Sequence, residues 1–191
     1  MEKNVLSIDC DWIQHSTQMV ELNNLVFQTF KSVDRIFFLK NHYTIVKYID
    51  TPSYICNVDH HHDINYGYNN QHINTGNWVS YLIEKGLVEK YTWIHNVNSK
   101  YNVDEVVNQI GKLKEYNLDL DLNYIKNIQF QDIFICESFG FYENLNDDEK
   151  KFFIPYNIFK QVAFHFFKEK VIIDNEKNNG FFLQENLEKQ K

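Results

Sequence analysis

Short apolar runs that stop abruptly at acidic residues constrain this chain most. Val5-Leu6-Ser7-Ile8 runs into Asp9-Cys10-Asp11-Trp12. Tyr54-Ile55-Cys56-Asn57-Val58, preceded by Pro52 and Ser53, runs into Asp59-His60-His61-His62-Asp63. Runs of this length and composition predict buried strands. Segments with helical periodicity lie between such runs along the chain, and strands alternating with helices predict a parallel sheet covered on both faces. In sheets of that kind ligands and metals bind beyond the carboxyl ends of the strands, which is where both polar clusters fall.

The pattern predicts strands at Val5–Asp9, Arg35–Leu39, Tyr54–Val58, Tyr91–His95 and Ile133–Cys136. It predicts helices at Thr17–Ser32, Tyr43–Ile49, Asn77–Glu84, Val103–Tyr116 and Pro155–Phe167. In the first helix Met19, Leu22, Val26 and Phe30 share a face. In the third, closed by Gly86, Trp78, Val79, Leu82 and Ile83 point inward. In the last, Ile158, Phe159, Val162 and Phe166 are the expected core face. Ile64 to Thr75 reads as a polar, Asn-rich loop. The expected fold is a single-domain three-layer α/β/α arrangement over residues 1–175, followed by a charged tail, 176–191, which Phe181, Phe182 and Leu183 would dock.

A length of 191 residues fits one domain with a substantial core. Net charge −7 without a basic block argues against a nucleic-acid partner. No apolar run approaches the roughly 18 residues of a membrane span, and Met1-Glu2-Lys3-Asn4 leads straight into the first strand, so no secretory signal is expected. Cys10, Cys56 and Cys136 match no zinc-finger spacing and make no disulfide framework. They read as buried free thiols in a reducing cytoplasm. Aromatic content of 16% points to a Phe-rich core, in which Trp78 and Trp93 are expected.

On an extended backbone alternate residues face one side. Asp59, His61 and Asp63 would then converge, with His60 and His62 turned away, and Asp9 and Asp11 would likewise point together. Carboxylates brought that close repel unless a cation or a proton sits between them. Hard oxygens with imidazole nitrogens suit Mn²⁺ or Zn²⁺.

These segments resemble the arginase/ureohydrolase family. Asp59-His60-His61-His62-Asp63 is similar to its Asp-Ala-His-x-Asp motif and Asp9-Cys10-Asp11 to its Asp-x-Asp motif. Asn41-His42-Tyr43-Thr44-Ile45 is similar to its Gly-Gly-Asp-His-Ser segment, and Phe134-Ile135-Cys136-Glu137-Ser138 to the late strand whose Glu holds the guanidinium. With Asn74-Thr75-Gly76-Asn77-Trp78, the chain looks most like the small peptide arginases. The Asp-x-Asp motif comes first here and late in ordinary arginases, and Asn41 stands where the family has Asp. The resemblance implies an arginase/deacetylase-like fold and two Mn²⁺, or another divalent metal, held by Asp9, Asp11, His42, Asp59, His61 and Asp63. It implies Glu137 as the guanidinium partner, an arginine-containing precursor peptide as substrate, and ornithine and urea as products. His72, in the loop after the cluster, is a candidate proton shuttle to the leaving amine. Asp59-His60-His61 with an early Asp-x-Asp also resembles the DHH phosphoesterases, which likewise use two Mn²⁺. A non-catalytic metal-binding interaction module is the third reading.

Overall fold

Every residue of Val5-Leu6-Ser7-Ile8-Asp9 is buried, because strand β1 (Lys3–Asp9) runs through the middle of a sheet covered on both faces. The computed structural model describes residues 3–13, 16–64, 72–99, 106, 110–113, 115–119, 121–137, 154–174 and 182–183. The remaining strands are β2 (Arg35–Leu39), β3 (Ser53–Val58), β4 (His72–Ile73), β5 (Val88–Ile94), β6 (Glu115–Asp119), β7 (Asp132–Cys136), β8 (Val171–Asp174) and β9 (Phe182–Leu183). Among the described residues the α-helices with both ends defined are α1 (Ser16–Ser32), α2 (Trp78–Glu84) and α3 (Ile154–Phe166). Seven strands form one sheet in the order β6-β5-β3-β1-β7-β2-β8. Every neighbouring pair in it is parallel. This is the single-domain, three-layer α/β fold that the alternating pattern predicts.

On one face α1 and α3 pack with the 3₁₀ turn Leu122–Ile125. Leu22, Val26, Phe30, Phe159 and Ala163 meet Leu6, Ile8, Val58, Ile133 and Ile135 there. On the other face α2 and the 3₁₀ helix His42–Lys47 cover Val5, Phe37, Ile55, Tyr91, Trp93 and Phe134. Val106 and Ile110, helical and fully buried, belong to that second core. Gly86, at φ 69°, ends α2 in the left-handed conformation that glycine accepts without strain.

Several expectations are corrected. The helix expected to reach Tyr116 gives way to a strand, for β6 begins at Glu115 and pairs in parallel with β5. Most of residues 103–109 lie outside the described residues. Edge strand β8, Val171-Ile172-Ile173-Asp174, was not among the expected strands although it too is an apolar run ending in an acid, and neither was the antiparallel β4–β9 ladder, which pairs His72 with Leu183 and Ile73 with Phe182 inside the expected loop and tail. Tyr43–Ile49 is a 3₁₀ helix that begins at His42. In α3 Phe166 is 66% exposed. Phe167, just past the helix end, turns in instead and packs edge-on to Phe30 with ring centroids 6.1 Å apart. All three cysteines are buried and free. No helix among the described residues is long and apolar enough to cross a membrane.

Candidate metal centre

From β1 the chain crosses to β2 on one side and, through it, to β3 on the other, so the carboxyl end of β1 is the switch point of the sheet. Asp9 ends β1 and caps the 3₁₀ turn Cys10–Trp12, its Oδ1 accepting from the Asp11 amide at 3.4 Å. Asp59 follows the adjacent strand β3, and its amide still bonds to the Ile94 carbonyl at 3.2 Å, as an extension of the ladder. His42 opens the 3₁₀ helix after β2. Topology therefore delivers three separate segments to one place.

Two donor groups result. The ligand atoms of Asp9, His42 and Asp59 all lie within 4.8 Å of one another, and so do those of Asp11, Asp59 and His61. Asp59 belongs to both. Its Oδ2 lies 3.1 Å from His42 Nδ1, while its Oδ1 lies 3.9 Å from His61 Nδ1. His42 Nδ1 is also 3.4 Å from Asp9 Oδ2 and 2.9 Å from Asp63 Oδ2, and His61 Nδ1 is 3.1 Å from Asp11 Oδ2. The first group is wholly buried. The second opens to solvent through His61, whose side chain is 45% exposed.

His42 Nδ1 shows that these residues fit a cation. It is buried among three carboxylate oxygens, yet none of them meets it with hydrogen-bond geometry. Its other nitrogen, Nε2, lies 2.6 Å from Ser7 Oγ. With the proton on Nε2, donated to Ser7, Nδ1 presents a lone pair to the carboxylates, the arrangement of a metal-ligating histidine held by an outer partner. Carboxylate oxygen and imidazole nitrogen are ligand types that divalent ions accept. The buried Asp/His groups can hold a metal ion.

The charges say the same. Burial first, then the Asp9 and Asp59 charges, push Asp11 up to about 8. Burial and Asp63 push Asp59 up to about 7, and burial raises Asp63 as well. Burial alone would lower His42, but the Asp59, Asp63 and Asp9 carboxylates outweigh it and hold the ring well above its ordinary value. The hydrogen bond that His61 donates to the Asp11 carboxylate takes it to about 9. Without a metal, protons do the neutralising.

Strand alternation is not what arranges the cluster. β3 ends at Val58, and residues 59–61 bend. The His61 amide donates to Asp59 Oδ1 at 2.8 Å and the His60 amide to Asp11 Oδ1 at 3.4 Å. His60 is half-buried, its Nδ1 3.2 Å from Ser99 Oγ. His62 is buried edge-on to Trp93, and its Nδ1 accepts from the Ile64 amide at 3.0 Å. Burial and His61 bring it down to about 4, so it is neutral. Asp63, at φ 52°, falls in neither donor group, although its Oδ2 faces His42 and accepts from Trp78 Nε1 at 2.5 Å.

Glu137 stands half-buried just past β7, its amide donating to the Leu39 carbonyl at 3.0 Å, and its charge is felt at Cys10 and Tyr156. His72 is half-buried on β4, and its carbonyl accepts from Asn77 Nδ2 at 3.3 Å. Ser138 is outside the described residues. Sequence reasoning missed Ser7 and treated Trp78 and Trp93 as core only. Ser7 had a signal, since it lies two residues before Asp9 on the same face of β1. The indole contacts had none, because they depend on where separate elements meet. No family model, curated protein or solved structure matches this chain.

Proposed function

We propose that the protein is a dinuclear-metal hydrolase that converts arginine side chains of a peptide to ornithine and urea, a peptide arginase. The observation that carries this reading is Asp59, which offers one oxygen to each of two donor groups built from neighbouring strand ends. Asp9 and His42 would hold one ion and Asp11 and His61 the other, with Asp59 common to both groups and the Asp63 carboxylate facing His42 beside the first, and Mn²⁺ suits this mixture of carboxylate and imidazole. Bound there, the ions supply Lewis-acid activation of water at neutral pH.

The remaining roles belong to the chain. Four aspartates balance two divalent cations, which leaves a near-neutral site in which a guanidinium meets no excess of positive charge. β7 lies between β1 and β2 in the sheet, so Glu137 stands in edge order between Asp9 and His42. That position supports it as the carboxylate that pairs with the guanidinium. His72 would pass a proton to the departing side-chain amine, so that one water, added across the guanidinium carbon–nitrogen bond, yields ornithine and urea.

The test is incubation of the Mn²⁺-loaded protein with arginine-containing peptides. The expected result is urea release and a loss of about 42 Da, the cyanamide unit by which arginine exceeds ornithine. No mass change together with turnover of a phosphodiester would assign the centre to the phosphoesterase reading. Tightly bound metal with neither reaction would leave a binding module.

A further inference from the structure

The bend from Asp59 to Asp63 carries donors for both groups, yet neither helix nor ladder runs through it, and Asp63 is held in the left-handed region. Such a segment, loaded with like charges, needs outside partners to keep one shape. Three come from buried aromatic side chains. Trp93 Nε1 donates to the Asp59 carbonyl at 3.0 Å and Tyr91 Oη to the His62 carbonyl at 2.9 Å. Trp78 Nε1 donates to Asp63 Oδ2 at 2.5 Å, and the Trp78 ring lies 4.9 Å from that of His42. All three residues are 0% exposed. Tyr91 and Trp93 share one face of β5, while Trp78 opens α2, so two separate elements grip a five-residue segment from its two ends.

We propose that Trp78, Tyr91 and Trp93 are positioning residues that set the metal-binding bend before any metal arrives. Each buried indole or phenol donor must find an acceptor, and each finds it on the segment that bears the ligands. Tyr91 and Trp93 fix main-chain carbonyls and so the path of the bend. Trp78 acts on the carboxylate that faces His42: it occupies one direction of Asp63 Oδ2, the oxygen 2.9 Å from His42 Nδ1. The Val79 amide, donating to the Asp63 carbonyl at 3.2 Å, anchors the same residue from the start of α2. The site is thereby preorganised, and the ions do not have to gather it from a flexible loop.

This rests on the metal-centre reading, and one experiment separates the two. Mn²⁺ is titrated into wild type, Tyr91→Phe and Trp78→Phe, and free Mn²⁺ is followed by electron paramagnetic resonance, with folding checked by circular dichroism. Tyr54→Phe is the control. It deletes the buried hydroxyl that pairs with Thr92 Oγ1 at 2.8 Å on the opposite face of the same sheet. The expected result is binding weakened about 10- to 100-fold in folded Tyr91→Phe and Trp78→Phe, the usual effect of removing a partner that orients a ligand, with Tyr54→Phe binding as wild type does. Wild-type affinity in folded Tyr91→Phe, or equal weakening in Tyr54→Phe, would overturn the positioning role and leave the metal centre standing. A wild-type protein that takes up no Mn²⁺ would overturn both.

Discussion

Asp59 is fully buried, has a carboxylate on either side and an imidazole at each oxygen. Replacing it with Ala should empty both positions, read as metal content after gel filtration, because it is common to both donor groups. His61→Ala should empty only the solvent-facing position, and His60→Ala should change metal content little, since its ring is engaged with Ser99. Glu137→Gln should keep the metal and lose most turnover of an arginine peptide, because it removes a charge and no ligand. The titrations have a definite sign. Asp11 and Asp59 keep protons up to about 8 and about 7 in the metal-free fold, whereas the unfolded chain loses them near 3.8. His61 keeps its proton to about 9 against an ordinary 6.5. In all three the folded state binds more protons, so metal-free stability falls as pH rises from about 4 to about 9. Thermal melts in chelator should show a lower Tm at about pH 8 than at about pH 6, and Mn²⁺ should restore it, most strongly at the higher pH.

At the scale of elements, the central strands were legible because each is a short apolar run closed by a turn residue or an acid. The edge strand β6 was not. Glu115-Tyr116-Asn117-Leu118-Asp119 has no apolar run to betray it, and its pairing with β5 is a tertiary fact. The candidate donors Asp9, Asp11, Asp59 and His61 could be named from local spacing, but the reason offered for the last two, a continuing strand, fails at Val58. A bend closed by side-chain acceptors does that work instead. Helix α3 misled at its end: periodicity assigns Phe166 inward, but the helix stops there and the next residue takes the core position. Phe159→Ala should therefore cost about 3–5 kcal/mol in urea unfolding, and Phe166→Ala should stay within about 0.5 kcal/mol.

Across the whole molecule the two ends of the sheet do different work. At the amino end Asp132, 1% exposed, receives Lys3 at 2.6 Å and the Arg35 guanidinium through both oxygens, at 2.9 and 2.6 Å. That ion group ties β7 to both of its neighbours. Asp132→Ala should lower stability by about 2 kcal/mol while leaving Mn²⁺ affinity unchanged in the folded protein, measured by denaturation and metal titration side by side. The strand order carries a consequence in time. His42 and Asp9 follow β2 and β1, which are not neighbours, because β7 is inserted between them. A chain emerging from the ribosome presents every proposed ligand residue by Asp63, but the spacer between β1 and β2 is not made until Cys136. On the proposed metal reading, the group of Asp9, His42 and Asp59 must wait for that late insertion, whereas Asp11, Asp59 and His61 follow the neighbouring strands β1 and β3, so the two positions would become available at different stages of folding.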